Sequence, residues 1–138
     1  MGLVRRIGQT CLATTFVAGG LDALRKPAPR AAKAAPLAKR LDVDPTTLVR
    51  ANAAAMVAGG LALATDHLPR LAAAGLAVSM VPTTAFGHRF WEETDPVQRA
   101  NQRVHFGKNV SVLGGCLLLA CTPRRESRRE RRERAADE

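Results

Sequence analysis

Residues 44–66 read DPTTLVRANAAAMVAGGLALATD, and the fold turns on what surrounds them. Asp44 followed by Pro45 is a helix start: the carboxylate accepts from the free amides of the first turn, and proline takes a position whose missing N–H costs nothing. From Pro45 to Thr65 there is no second proline, and Arg50 carries the one charge. At about 1.5 Å per residue these 21 residues make a helix of roughly 31 Å, the thickness of a bilayer's hydrocarbon core. A surface helix of a soluble protein needs a polar side. Between Ala51 and Thr65 the polar side chains are Asn52 and the terminal threonine, so the segment is apolar all round.

Three more uncharged runs flank it: Ile7–Leu21, Leu71–Gly87 and Asn109–Pro123. Asp66 ahead of Pro69, and Asp95 with Pro96, repeat the start signal. Pro82 falls inside the third run, where a membrane helix absorbs the lost hydrogen bond if neighbouring helices or Thr83 and Thr84 satisfy the freed carbonyl. The runs are 15 to 17 residues long and rich in alanine, which is short for a span. Four helices that are each apolar all round, however, cannot all be central in a chain of 138 residues. The expected fold is all-α, a four-helix transmembrane bundle over residues 1–123 with spans near 4–24, 45–65, 69–87 and 104–122. A charged Arg/Glu tail, 124–138, follows and is expected to be cytoplasmic and disordered.

The slightly negative mean hydropathy averages these runs with the charged segments between them. A net charge of +9 invites a nucleic-acid reading, but seven of the 21 basic residues lie in the tail, alternating with Glu126, Glu130 and Glu133. That pattern reads as a solvated segment drawn to anionic lipid, and no nucleic-acid partner is expected. Cys11, Cys116 and Cys121 form no CxxC and no metal spacing; they read as small apolar residues, with no metal. Arg5 and Arg6 ahead of an apolar run resemble a signal peptide. Asp22 and Arg25 interrupt that run, and its AGG motif recurs in later runs, so retention is expected.

Glycine pairs recur at Gly19-Gly20, Gly59-Gly60 and Gly114-Gly115. In lipid, glycine lets helix backbones approach closely, so these six are candidate packing residues, with a faint repeat between the first two spans. Four spans put both termini on one side. The other side then collects Asp22, Arg25, Asn52, His88, His105, Lys108 and Asn109. Asp22 and Arg25 are spaced to pair, and His105 and Asn109 share a helix face continued by Val112 and Cys116. Ionisable groups at such depth face a bundle interior or an aqueous cavity, which makes these seven the candidate polar vestibule; the structural alternative is that they lock helices together or snorkel. Phe90 and Trp91 read as interfacial anchors. Basic residues are shared evenly between the two sides, and the dense arginine tail tips the expectation toward cytoplasmic termini.

The segments FVAGGLDALRKP (16–27), DPTTLVRANAAAMVAGGLALA (44–64), PTTAFGHRFWEETDP (82–96) and HFGKNVSVLGGCLLLA (105–120) together resemble the DoxX family of small bacterial membrane proteins, particularly its actinobacterial members. The resemblance implies a multi-pass protein of the cell inner membrane, associated with oxidative-stress handling beside thiol-transferring and superoxide-removing partners, with relatives among quinone-linked oxidoreductase subunits. It brings no catalytic residue set. The leading expectation is therefore a membrane subunit or scaffold of a redox detoxification assembly, with quinone as the candidate cofactor met by His105 or Lys108. The alternatives are a structural protein that recruits partners through its tail and a small transporter subunit built around Pro82.

Overall fold

The computed structural model describes residues 3–122 and, among them, contains five helices and no strand: α1 (Leu3–Arg25), α2 (Ala28–Leu41), α3 (Pro45–Ala64), α4 (Pro69–Gly87) and α5 (Pro96–Cys121). The tail and the extreme N-terminus lie outside the described residues. Helices α1, α3 and α4 match the expected spans closely. Helix α5 starts at Pro96 and runs unbroken for 26 residues, longer than the expected 104–122.

Helix α2 is a fifth helix beside the four expected as spans. Three prolines among alanines predict at most a short surface helix between residues 26 and 43, yet 14 residues are helical. The prolines do not prevent it. Pro27 and Pro29 sit at the helix start, where no amide is needed, and only Pro36 interrupts the ladder. Ala31 and Ala38, two turns apart, are buried and bring α2 down onto α3 and α4.

Two of the three start signals act as read. Asp44 Oδ2 accepts from Thr47 N at 2.7 Å, and Asp95 Oδ1 accepts from Gln98 N at 2.7 Å. The Thr47 amide also holds the Asp44 carboxyl below its ordinary range. Asp66 does not cap α4. It occupies the left-handed position that closes α3, at φ 57°, where Asp66 N donates to Leu63 O and His67 N to Ala62 O. Its carboxylate instead accepts from the buried Gln9 of α1 at 3.2 Å, and Leu68 precedes α4 with no side-chain cap.

The closest packing is between α1 and α3. Residues 13–24, ATTFVAGGLDAL, and 53–64, AAAMVAGGLALA, align at a constant offset, and the antiparallel crossing uses them reciprocally. A Cβ on Gly20 would meet Ala53 O and Val57 Cγ2 at 2.8 Å and Met56 Cβ at 3.3 Å. One on Gly60 would meet Val17 Cγ2 at 2.8 Å, Ala13 O at 3.2 Å and Phe16 Cβ at 3.3 Å. These neighbours are equivalent under a local two-fold axis, so the faint repeat is the sequence image of a symmetric crossing. Gly59 fits against Leu76 of α4 in the same way, at 2.9 Å. Gly19 and Gly115 make looser contacts with Met56 and Leu12. Gly114 meets nothing within 4 Å, so its expected packing role is not found.

The core is Phe16, Leu63, Leu76, Met80 and Cys116, with Ala13 and Ala77 filling between them. Outside it the surface stays apolar: Val78 is 73% and Leu118 72% exposed. Helices α3 and α5 are long and apolar enough to cross a membrane, and only 17% and 11% of their apolar stretches are buried in the protein. A core helix of a soluble fold would be mostly enclosed by its own chain. Here the apolar surface faces outward, where lipid is its matching solvent.

Candidate functional site

The end of the bundle away from the start of α1 and the end of α5 holds a cavity of about 560 Å³, lined by all five helices. Its walls are apolar, with Phe16, Leu37, Leu48, Met56, Met80 and Phe86 prominent. Its polar edge is formed by Arg30, Lys33, His88, His105, Lys108 and Asn109.

Of the seven predicted vestibule residues, Asn52, His88, His105, Lys108 and Asn109 line this cavity, and Asp22 and Arg25 do not. Asp22 pairs with Arg30 of α2 at 2.6 Å rather than with Arg25, and both partners are exposed. Arg30 and Lys33 are absent from the predicted set because at most a short surface helix is expected in residues 26–43, with no part in the site. A signal existed: Arg30, Lys33, Ala34 and Leu37 recur at helical spacing, and all four line the cavity. Lys33 Nζ also donates to Gly87 O at 3.0 Å, satisfying a carbonyl at the end of α4.

Asn52 is a cross-link, not a free group. Its Oδ1 accepts from Ser79 Oγ at 2.8 Å, and its Nδ2 donates to Thr83 Oγ1 at 3.2 Å, tying α3 to α4 beside Pro82. Thr83 in turn donates to Ser79 O at 2.9 Å, one residue past the carbonyl that Pro82 leaves free. Helix α4 continues through the proline held by this network.

Asn109 is the opposite case. Its residue is 5% exposed, it faces the cavity, and its carboxamide has no hydrogen-bond partner among the described residues. The buried side-chain atoms left without a partner among the described residues are Arg5 Nε and Nη2, not those of Asn109, so the Asn109 amide opens onto the cavity, where solvent or a ligand supplies its partner. Cys116, two turns along the same face, is fully buried in the core beneath it.

His88 and His105 stack with ring centroids 5.3 Å apart and 19° between planes. His88 Nδ1 donates to Gln102 Oε1 at 2.8 Å. Outside this pair, Phe90, Trp91 and Phe106 meet edge to face at 5.1 to 6.0 Å and fasten the 88–95 loop to α5. Trp91 remains more than half exposed. Burial holds His88 below the ordinary histidine range; the hydrogen bond to Gln102 opposes this, and the nearby His105, Lys33 and Lys108 reinforce it. Between the depressed folded value and the unfolded value of about 6.5, the unfolded chain binds the extra proton. The stability due to neutral His88 is therefore complete above that unfolded value and lost as pH falls through the folded one. Thermal midpoints of the detergent-solubilised protein from pH 8 to 5 are expected to fall on the acid side, and His88→Gln should flatten that fall.

Among the described residues no group of three His, Cys, Asp or Glu could hold a metal ion. A protein-family model described as DoxX matches residues 5–89, more than half of the chain. The match takes in α1 to α4 and ends before α5, which carries His105, Lys108 and Asn109. No curated protein and no solved structure matches the chain.

Proposed function

Because the chain belongs to the DoxX family, a family of small membrane proteins, we propose that α1, α3, α4 and α5 all cross the bilayer and that the protein is a membrane subunit of a redox or oxidative-stress detoxification assembly. In this reading the termini and the arginine-rich tail face the cytoplasm, since seven arginines in eleven residues resist export. The tail meets protein partners of a thiol- or superoxide-handling complex there. The cavity at the far end is the subunit's small-molecule site.

The observation that carries the site is Asn109: a largely buried residue whose carboxamide, with no hydrogen-bond partner among the described residues, opens onto an apolar-walled cavity of ligand size. A quinone fits the chemistry. Its ring and tail suit the walls around Phe16, Met56 and Met80, and its carbonyl oxygens accept from Asn109, Lys108 or His105. When bound, a quinone would supply the two-electron chemistry that these side chains lack; the residues bind and orient it.

Asn109→Leu separates a ligand site from a packing role. Removing an amide that makes no hydrogen bond to the described residues should leave the thermal midpoint about unchanged, while losing one hydrogen bond to the ligand should lower extractable quinone about tenfold. The measurement is organic extraction of the detergent-purified protein, beside oxidative-stress survival of cells carrying Asn109→Leu or His105→Ala. A wild-type protein without bound quinone, together with unchanged survival in both variants, would overturn the reading.

A further inference from the structure

The charges around the cavity are one-sided. Arg30, Lys33 and Lys108 line it as basic side chains, His88 and His105 sit among them, and among the described residues no Asp or Glu lines it. The nearest compensation is already used, because Asp22 accepts from Arg30 at 2.6 Å. Lys33 spends one proton on Gly87 O, and neither Lys33 nor Lys108 pairs with a carboxylate among the described residues. The mutual repulsion is felt at His88, whose charged form is disfavoured by His105, Lys33 and Lys108 as well as by burial. Arg30, Lys33 and Lys108 are exposed, so water screens them and little is lost by leaving them unpaired, but together at the mouth of an apolar cavity they attract an anion.

A neutral ligand such as a quinone would satisfy the walls and use these groups only as hydrogen-bond donors, leaving their charge to solvent. A small hydrophilic anion would satisfy the field and leave the walls wet. We propose that the cavity binds an amphiphile with one apolar chain and an anionic headgroup of the carboxylate type, its chain against Phe16, Met56 and Met80 and its head between Lys33, Lys108 and the Asn109 amide. The volume of about 560 Å³ lies in the range of sites for single compact ligands. This deepens the reading of the cavity as a ligand site and is independent of its occupant being a quinone.

The test uses the full chain purified in an uncharged detergent and titrated with dansylaminoundecanoic acid, with its methyl ester and with inorganic phosphate as competitor. The acid is expected to bind at least about tenfold more tightly than the ester, a ratio set by charge-assisted hydrogen bonds. The double variant Lys33→Gln/Lys108→Gln should bring the acid down to the ester's affinity and leave ester binding unchanged, which also shows that the variant is folded. Lys108→Arg should retain acid binding. Equal binding of acid and ester by the wild type, or an unchanged acid affinity in the double variant, overturns the proposal. Displacement of the probe by phosphate at its own headgroup affinity does so as well, since it would make the anion alone the ligand. Acid binding without extractable quinone would sink the quinone reading alone; binding of neither probe would sink the cavity as a ligand site.

Discussion

Val78→Arg should prevent α4 from settling in the membrane. Val78 stands at the middle of α4, 73% exposed, with Leu71 and Val81 also facing outward at 68% and 55%. If α4 crosses the bilayer, this substitution puts a guanidinium near the midplane on the lipid side, at a cost of about 2.5–3.5 kcal/mol. An alanine-rich helix interrupted by Pro82 has little apolar surplus to offset that. The expected result is protein that is degraded or released by an alkaline carbonate wash, whereas the parent chain stays in the pellet until detergent is added. Leu68→Arg, at the helix start and 60% exposed, should be tolerated because the side chain reaches the headgroups. If α4 instead faced water, arginine at position 78 would be an ordinary surface change within about 0.5 kcal/mol. Membrane retention of Val78→Arg equal to wild type would remove α4 from the set of spans and with it the four-span topology.

What was legible in the sequence divides along physical lines. Asp-Pro starts at 44–45 and 95–96 were readable because a cap is a local device whose partners lie within one turn. Asp66 failed by the same token: its backbone closes α3 and its carboxylate reaches Gln9, 57 residues away in the chain, and nothing in the local pattern announces a long-range partner. Prolines at 27, 29 and 36 hide how long helix α2 is. Two of its three prolines stand where helices tolerate them, so the 14-residue helix forms and carries Arg30 and Lys33 to the cavity. Asn52, His88, His105, Lys108 and Asn109 come together at one cavity because antiparallel segments bring their ends together whatever their side chains do. Which polar groups are free was not legible. Asn52 and Asn109 look alike in sequence, and only tertiary geometry makes one a cross-link through Ser79 and Thr83 and leaves the other without a partner among the described residues.

The α1–α3 crossing should be the point where smallest substitutions do most damage, and where two of them do less than their sum. Gly20→Ala places a methyl group 2.8 Å from the backbone oxygen of Ala53, and Gly60→Ala places one 3.2 Å from that of Ala13 and 2.8 Å from Val17 Cγ2. Backbone oxygens cannot rotate aside, so α1 and α3 must part, at about 1–3 kcal/mol for each overpacked contact. Gly114→Ala is the matched control in the same kind of helix: with nothing within 4 Å it should be neutral or gain up to about 1 kcal/mol of helix propensity. The local two-fold axis adds a sharper expectation. Because both glycines hold the same pair of helices at the same separation, a first alanine that pushes the helices apart relieves the second, so Gly20→Ala/Gly60→Ala should cost clearly less than the two single changes combined. Thermal midpoints of the four proteins in one detergent read this directly. Strict additivity would mean that each glycine is accommodated locally, and the symmetric crossing would then be a coincidence of sequence, not the joint that sets how α1 and α3 meet beneath the cavity.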